Sequence, residues 1–423
     1  MVHTVLTLRI QLADFKRAGR DGVGETLGVA SQGQACQSVD CCAPYVVVSA
    51  MFDNSSVREG AASRYPDSRC NCSAPAKNIE KEYTVDMPGQ LNEKPAATLF
   101  RLVNGYQVSQ AIHVAATLGI ADLLHDGPRS AEDLAAATNT HEPSLYRLLR
   151  ALASVGVFRE VDGHQFELTP VGDCLRSDAP EPVGPWATLI GEAYYRQTWG
   201  HLLHSVRTGE NAFRALHGMD VWTYREGRPE AGAVFDRAMT GMSRRAAEAV
   251  LAAYDFSRFS CVVDVAGGQG AFLGAILSRY PSLRGVLFDQ PHVVAGSEGT
   301  LSALVERCQV VGGSFFDAVP EGGDAYVLKA ILHDWDDEVA TVILRECRKA
   351  IGASGSLLVV EQVVGAPNLE PATKFSDLNM LVMPGGRERT REEFERLFAA
   401  AGFRLVGVTP TIVGVCVVEG APA

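Results

Sequence analysis

The sequence predicts a two-part α/β fold. A mainly helical front half ends in a β-hairpin, and a back half winds helices around a parallel, doubly wound sheet. Three observations carry this. From Ala96 apolar residues recur at helical spacing. At Asp162-Gly163 a turn dipeptide joins two short β-type runs. From Ser260 short apolar runs alternate with amphipathic helical stretches, the pattern of a parallel sheet.

The chain has 423 residues, enough for two or three domains with a large core. Charged residues make up 21% and the net charge is −12, which argues against a nucleic-acid partner held by bulk charge. No apolar run is long enough to span a membrane, and the first residues lack a secretory layout, so the expectation is a cytoplasmic protein without a membrane partner. Residues 1–92 are rich in Ser, Gly, Asn, Asp and Cys and show no sustained period beyond one strand-like run at 43–52. They are expected to be a disordered extension, with Met87 a candidate start. Cys36, Cys41, Cys42, Cys70 and Cys72 form no CxxC or CxxH pair, so zinc spacing is absent. The other five cysteines stand singly in apolar surroundings and read as small core residues.

Residues 93–180 form the first folded part. One helical stretch runs from Ala96 toward Leu124. A second helix is capped by Ser130, with Asp133 at the capping-box position. A third places Leu145, Leu148, Leu149 and Leu152 on one face and stops at Gly156. With the hairpin, this is the layout of a winged helix. Its would-be recognition helix carries only Arg147 and Arg150, which disfavours DNA and leaves packing or dimerisation. Residues 181–255 are helical and aromatic-rich. Phe235, Met239 and Met242 share a helical face there, a stripe that suits either core or pocket.

Residues 256–423 carry the chemistry. "VVDVAGGQGAF" is a strand ending in Asp264, then a turn over Ala266, Gly267, Gly268 and Gly270 that opens a helix. Glycines let backbone approach a ligand closely. Asp264 would repel a pyrophosphate but could meet an ammonium. Asp289 ends the next strand, where a ribose-binding acid belongs. Amino acid plus ribose without phosphate suggests S-adenosylmethionine. "GGSFFDAVP" follows the third strand and offers Phe315 or Phe316 to an adenine. "AYVLKAI" reads as the fourth strand, putting His333 of "LHDWDD" at the sheet's open mouth, with Asp336, Asp337 and Glu338 a solvated helix start. Glu361 ends the fifth strand. Glu388 follows the Gly385-Gly386 turn, before a helix capped by Thr390. The last residues read as a hairpin turning at Thr409-Pro410. No HExxH or clustered-Asp motif argues for a metal.

Five segments, "DVAGGQG", "LFDQPHV", "GGSFFDAVP", "LKAILHDWDDE" and "MPGGRERTREEFERLFAAAGF", together with the winged-helix front half, resemble the S-adenosylmethionine-dependent small-molecule O-methyltransferases. That family includes plant caffeic-acid-type and bacterial polyketide- and antibiotic-tailoring enzymes. The resemblance spans about residues 96–420. It implies a winged-helix dimerisation domain before a Rossmann-like class I methyltransferase domain, working as a homodimer on a small hydroxylated acceptor, aromatic or polyketide-derived. It implies His333 as general base, flanked by Glu361 and Glu388. It carries cofactor contacts to Asp264, residues 266–270, Asp289, Ser314, Phe315, Lys329 and Trp335, and acceptor contacts to Phe235, Met239, Asn379, Met380 and Met383. Such relatives begin the turn with Gly where this chain has Ala266, whose methyl group is tolerable at negative φ. Many carry Asp where this chain has Ser314, a weaker partner for an adenine amine. The alternative is a relative of this fold that hydroxylates or decarboxylates and uses the cofactor structurally. Retention of His333, Glu361 and Glu388 argues against it.

Overall fold

The computed structural model describes residues 94–423. The N-terminal cysteines and the strand-like run at 43–52 lie outside the described residues. The helical stretch expected from Ala96 breaks into Pro95–Val103, Gly105–Thr117 and Ile120–Leu123. Gly119 makes the second break at φ +64, a conformation that Gly adopts without a steric penalty. Helices Ala131–Thr138 and Glu142–Ser154 follow, as expected. The Ser130 hydroxyl accepts the Asp133 N–H at 3.0 Å and so caps the first of them. Leu145, Leu149 and Leu152 are buried, and Leu148 is half-buried on the same side.

Strands β1 (Arg129–Ser130), β2 (Phe158–Val161) and β3 (Gln165–Leu168) form a small antiparallel sheet in the order β1-β3-β2. The hairpin at Asp162-Gly163 is as the sequence predicts, with Gly163 and His164 at positive φ. β1 is too short to leave a periodic signal. The aromatic-rich middle is a series of helices rather than one. Gly184–Gly191 and Ala193–Gly200 bend apart at Glu192, and the long helix Pro229–Ala253 follows.

The large sheet contains β4 (Cys261–Val265), β5 (Arg284–Asp289), β6 (Cys308–Gly312), β7 (Ala325–Lys329), β8 (Ser356–Gln362), β9 (Phe403–Pro410) and β10 (Val415–Pro422). Their order is β6-β5-β4-β7-β8-β10-β9. The first five are mutually parallel, and β10 runs antiparallel to both β8 and β9. The inner parallel strands β4, β7 and β8 are apolar on both faces because helices cover both faces, whereas the edge strand β6 is largely exposed. Val263, Leu357 and Val359 pack with helices Asp337–Ala350 and Arg391–Ala400. Their neighbours Val262, Leu358 and Val360 pack oppositely with Phe272, Leu273 and Ile276. Burying each such side chain stabilises by roughly 1.5–3 kcal/mol. The last turn lies at residues 411–414, not at Thr409-Pro410: β9 continues through Pro410, the Thr411 hydroxyl bonds Val415 O at 2.7 Å, and Gly414 takes φ +86.

Cys308 and Cys347 are buried, and Cys174, Cys261 and Cys416 are half-buried free thiols. Burial raises the Cys308 and Cys347 thiols to about 11 and about 12, which keeps them protonated and inert. Chain crossings depart in opposite directions from β4, between β5 and β7. This switch point opens a crevice at the carboxyl ends of β4 and β7.

Candidate active site

At the end of β4 the Asp264 side chain is 1% exposed, and neither carboxylate oxygen has a hydrogen-bond partner among the described residues. Burial pushes its carboxyl up to about 7, against the pull of Lys329 and aided by Asp289. A Cβ on Gly267 would come within 2.6 Å of the Asp264 carboxyl carbon, so only Gly admits this approach. Gly268 and Gly270 take φ +62 and +79, and Gly268 N–H donates to Asp289 Oδ2 at 2.8 Å. Ala266 also takes positive φ, +55, and not the negative φ that would suit its methyl group. An L-residue there is strained by roughly 1–2 kcal/mol. The Asp289 carboxyl, also raised mainly by burial, holds Gln290 N–H with its other oxygen at 2.6 Å.

The Ser314 hydroxyl accepts Phe316 N–H at 3.2 Å, so part of its capacity is spent locally. Phe315 and Phe316 meet Trp335 edge-on, with centroids at 6.3 and 5.3 Å. Three rings thus line the neighbourhood where the sequence places an adenine. Lys329 ends β7. Burial lowers its ammonium, while Asp264, Asp334 and Glu361 support its charge.

β7 ends because Ala330 takes φ +56. The chain then turns so that Ile331 N–H and His333 N–H both donate to Glu361 Oε1, at 3.0 and 3.1 Å. Glu361 is buried, and that burial raises its carboxyl. Its bonds thus go to the backbone of Ile331 and His333 and not to the imidazole ring. Glu388 holds the ring: its Oε1 lies 3.0 Å from His333 Nδ1 and also accepts the Ser376 hydroxyl at 2.7 Å. The Asp377 carboxylate accepts Glu388 N–H at 2.9 Å. The carboxylate accepting at Nδ1 fixes the ring and leaves Nε2 for a reactant; Asp334 Oδ1 lies 3.8 Å from it. Burial disfavours the imidazolium, but Glu388, Asp334 and Glu361 outweigh it and push the imidazole up to about 10. Burial likewise raises Asp334 to about 6, against the pull of His333.

The loop carrying Glu388 packs hard on this turn. A Cβ on Gly386 would fall 2.1 Å from His333 O, and Arg387 N–H donates to that oxygen at 2.9 Å. Arg389, wholly buried, bonds Leu332 O, Trp335 O and Asp337 at 2.8, 2.9 and 2.8 Å. Asp336, Asp337 and Glu338 are all exposed at the helix start, as expected, but two of them also have partners. Asp336 caps the helix through Val339 N–H, and Asp337 clamps Arg389.

Beyond the His333 ring, Phe235, Met239 and Met383 belong to one apolar cluster with Tyr194, Tyr195 and Trp199. Met380 is buried but outside that cluster, and Met242 faces outward. Asn379 Oδ1 accepts both Tyr195 Oη–H at 2.7 Å and Trp199 Nε1–H at 3.0 Å. Its amide N–H groups are left to point elsewhere. Tyr195, Trp199, Asp334, Ser376 and Asp377 were not singled out by the sequence. The signal for Ser376 and Asp377 is their place in "FSDLNM", just before Asn379. Among the described residues no group of three His, Cys, Asp or Glu could hold a metal ion.

Fold and site together define an α/β transferase in which a nucleoside-type cradle and a histidine–glutamate pair meet at one end of the sheet. Residues 199–404 match the family model of an O-methyltransferase domain, and residues 100–178 that of an O-methyltransferase dimerisation domain. The chain is 46% identical to a phenazine O-methyltransferase of Lysobacter antibioticus, over 77% of this chain and 96% of that one. It is 39% identical to a mitomycin biosynthesis 6-O-methyltransferase of Streptomyces lavendulae, over 77% and 94%. It superposes, at TM-score 0.63 and 36% identity over 75% and 96% of the chains, on an O-methyltransferase from neocarzinostatin biosynthesis holding S-adenosylmethionine and 2-hydroxy-5-methyl naphthoic acid. The chain belongs to the O-methyltransferase family, and its cofactor is S-adenosylmethionine. The orphaned Asp264 carboxyl group and the Gly267 cradle fit that cofactor: an unpartnered acid ends β4, and the turn beside it lets a ligand approach closely.

Proposed function

We propose that this chain methylates a hydroxyl of a small aromatic or polyketide-derived acceptor, with His333 as general base. The His333–Glu388 bond carries the reading, because it leaves Nε2 free to take the hydroxyl proton. Glu388 then stabilises the imidazolium, and Glu361 positions it through the backbone. The imidazole gives up its resting proton more readily when a cationic ligand shares the buried pocket. Asp264, Ala266, Gly267, Gly268, Gly270, Asp289, Ser314, Phe315, Lys329 and Trp335 would hold the cofactor. Bound there, it supplies a methyl group already activated on a positively charged sulfur. Phe235, Met239 and Met383 would pack the acceptor ring, and the Asn379 amide would donate to its oxygen. Met380, assigned to the same pocket by the family resemblance, is buried outside that cluster.

The names of the relatives support the acceptor class: a phenazine, a mitomycin and a naphthoic acid are polycyclic and small. Residues 93–180 would dimerise the protein, 181–255 complete the acceptor pocket, and 256–423 bind the cofactor. No helix among the described residues is long and apolar enough to cross a membrane, and we place the enzyme in the cytoplasm. The test is incubation with methyl-labelled cofactor and a panel of phenols, naphthols and hydroxyphenazines. Label should appear as an ether on at least one acceptor. Turnover that requires oxygen and transfers no label would reject the reading. His333→Ala should lower the rate roughly 10²–10⁴-fold and leave cofactor binding intact.

A further inference from the structure

Among the described residues two arginines are buried, Arg389 and Arg225, and they are treated differently. Arg389 has three partners. The guanidinium of Arg225, a residue 8% exposed near the end of helix Val221–Glu226, makes no hydrogen bond or ion pair among the described residues, and its buried Nε is an orphan. Its guanidinium instead stacks 3.8 Å from the centroid of Phe235 and lies 5.3 Å from that of Trp222 and 6.0 Å from that of Tyr194. Aromatic faces offset part of the desolvation of a cation but give its N–H donors nothing to bond. Only Nε is fully buried, and the terminal nitrogens, which also bond no described residue, stay open to an opposite charge that arrives from outside.

The surroundings say where the charge arrives. Phe235 belongs to the apolar cluster beside the acceptor pocket. Arg225 lies within electrostatic reach of Asp334, next to His333, of Tyr195, which bonds Asn379, and of Asp236. Asp236 in turn faces Asp289 of the cofactor cradle. Neither acid bonds the guanidinium.

We propose that Arg225 is a carboxylate-binding residue, reading a planar carboxylate that one of the two reactants carries into the pocket. This rests on the methyl-transfer reading for the identity of those reactants. A carboxylate matches the guanidinium fork in shape and charge. It comes from an acidic acceptor or from the methionyl end of the cofactor.

Calorimetry on the full chain separates the sources. One arm compares S-adenosylmethionine with its decarboxylated analogue. The other compares 3-hydroxy-2-naphthoate with its carboxamide, on protein saturated with S-adenosylhomocysteine. The wild type should favour the carboxylate form by about 10- to 100-fold in one arm, as for a hydrogen bond to a charged group. Arg225→Met should erase that preference without lowering the thermal midpoint, because an apolar side chain of similar volume removes a costly lone charge. Arg225→Lys should keep part of the preference, and it serves as the folding control. A preference that survives Arg225→Met, or a wild type with none in either arm, overturns the assignment. Both arms read binding, so a failure of label transfer stays distinguishable from a failure here.

Discussion

Removing the charge of Glu388 while keeping its shape, as Glu388→Gln, separates the two forces on the His333 ring. Burial pulls the imidazole below its ordinary 6.5, and Glu388 is the largest of the charges pushing it up to about 10. The variant's imidazole should titrate near or below 6.5 by NMR, and a midpoint left near 10 would remove Glu388 from this role. Asp264 carries an opposite liability. Its raised carboxyl stabilises the fold fully below about 3.8, and that contribution is lost as pH rises through about 7, on the order of 4 kcal/mol. Asp264→Asn should therefore raise the ligand-free thermal midpoint more at pH 8 than at pH 5 while weakening cofactor binding. Equal gains at both would refute the linkage. Ala266→Gly should stabilise the protein by roughly 1 kcal/mol in urea unfolding, since φ there is +55. His333 stood out locally, just past an apolar strand, whereas Glu361 and Glu388 were placed beside it only by the family resemblance. That Glu361 binds backbone was not legible, since sequence spacing does not say which atoms a carboxylate meets.

At the scale of elements, the turn that presents His333 is held from the loop after Gly385 rather than from its own strand. Arg389 ties Leu332 O and Trp335 O together, and Gly386 lets the two backbones touch. Arg389→Met should destabilise by about 3 kcal/mol, because it orphans two carbonyls in the interior. Asp337→Asn should cost far less, because the Asp337 side chain is 55% exposed. Chemical denaturation of the pair checks this, and equal costs would place the clamp elsewhere. Strands β4 to β8 were readable as short apolar runs bounded by turns. The insertion of β10 between β8 and β9 was not, because partner choice is settled by which edge is open, a property of the assembled sheet.

For the whole molecule, Leu99, Phe100, Leu102 and Val103 are more than half exposed in the single chain, along with Tyr106. An apolar patch of that kind calls for a partner, and the dimerisation-domain match covers it from residue 100. Phe100→Asp should shift the proposed dimer toward monomer in sedimentation and leave the monomer folded, since the side chain is 73% exposed. A variant that sediments like the wild type would place the interface elsewhere. The front half was readable as helices and a hairpin. Helical periodicity marks apolar faces without telling core from interface, so the patch itself was not.

The antiparallel seam between β8 and β10 has a bearing on how the protein is made. Until residues 415–422 leave the ribosome, the strand carrying Glu361 presents a bare edge to solvent, and Cys416 has yet to arrive opposite that glutamate. At translation speeds of roughly 5–20 residues per second, the interval between the two strands lasts several seconds. During that window the nascent chain offers an apolar, unpaired template for other nascent chains.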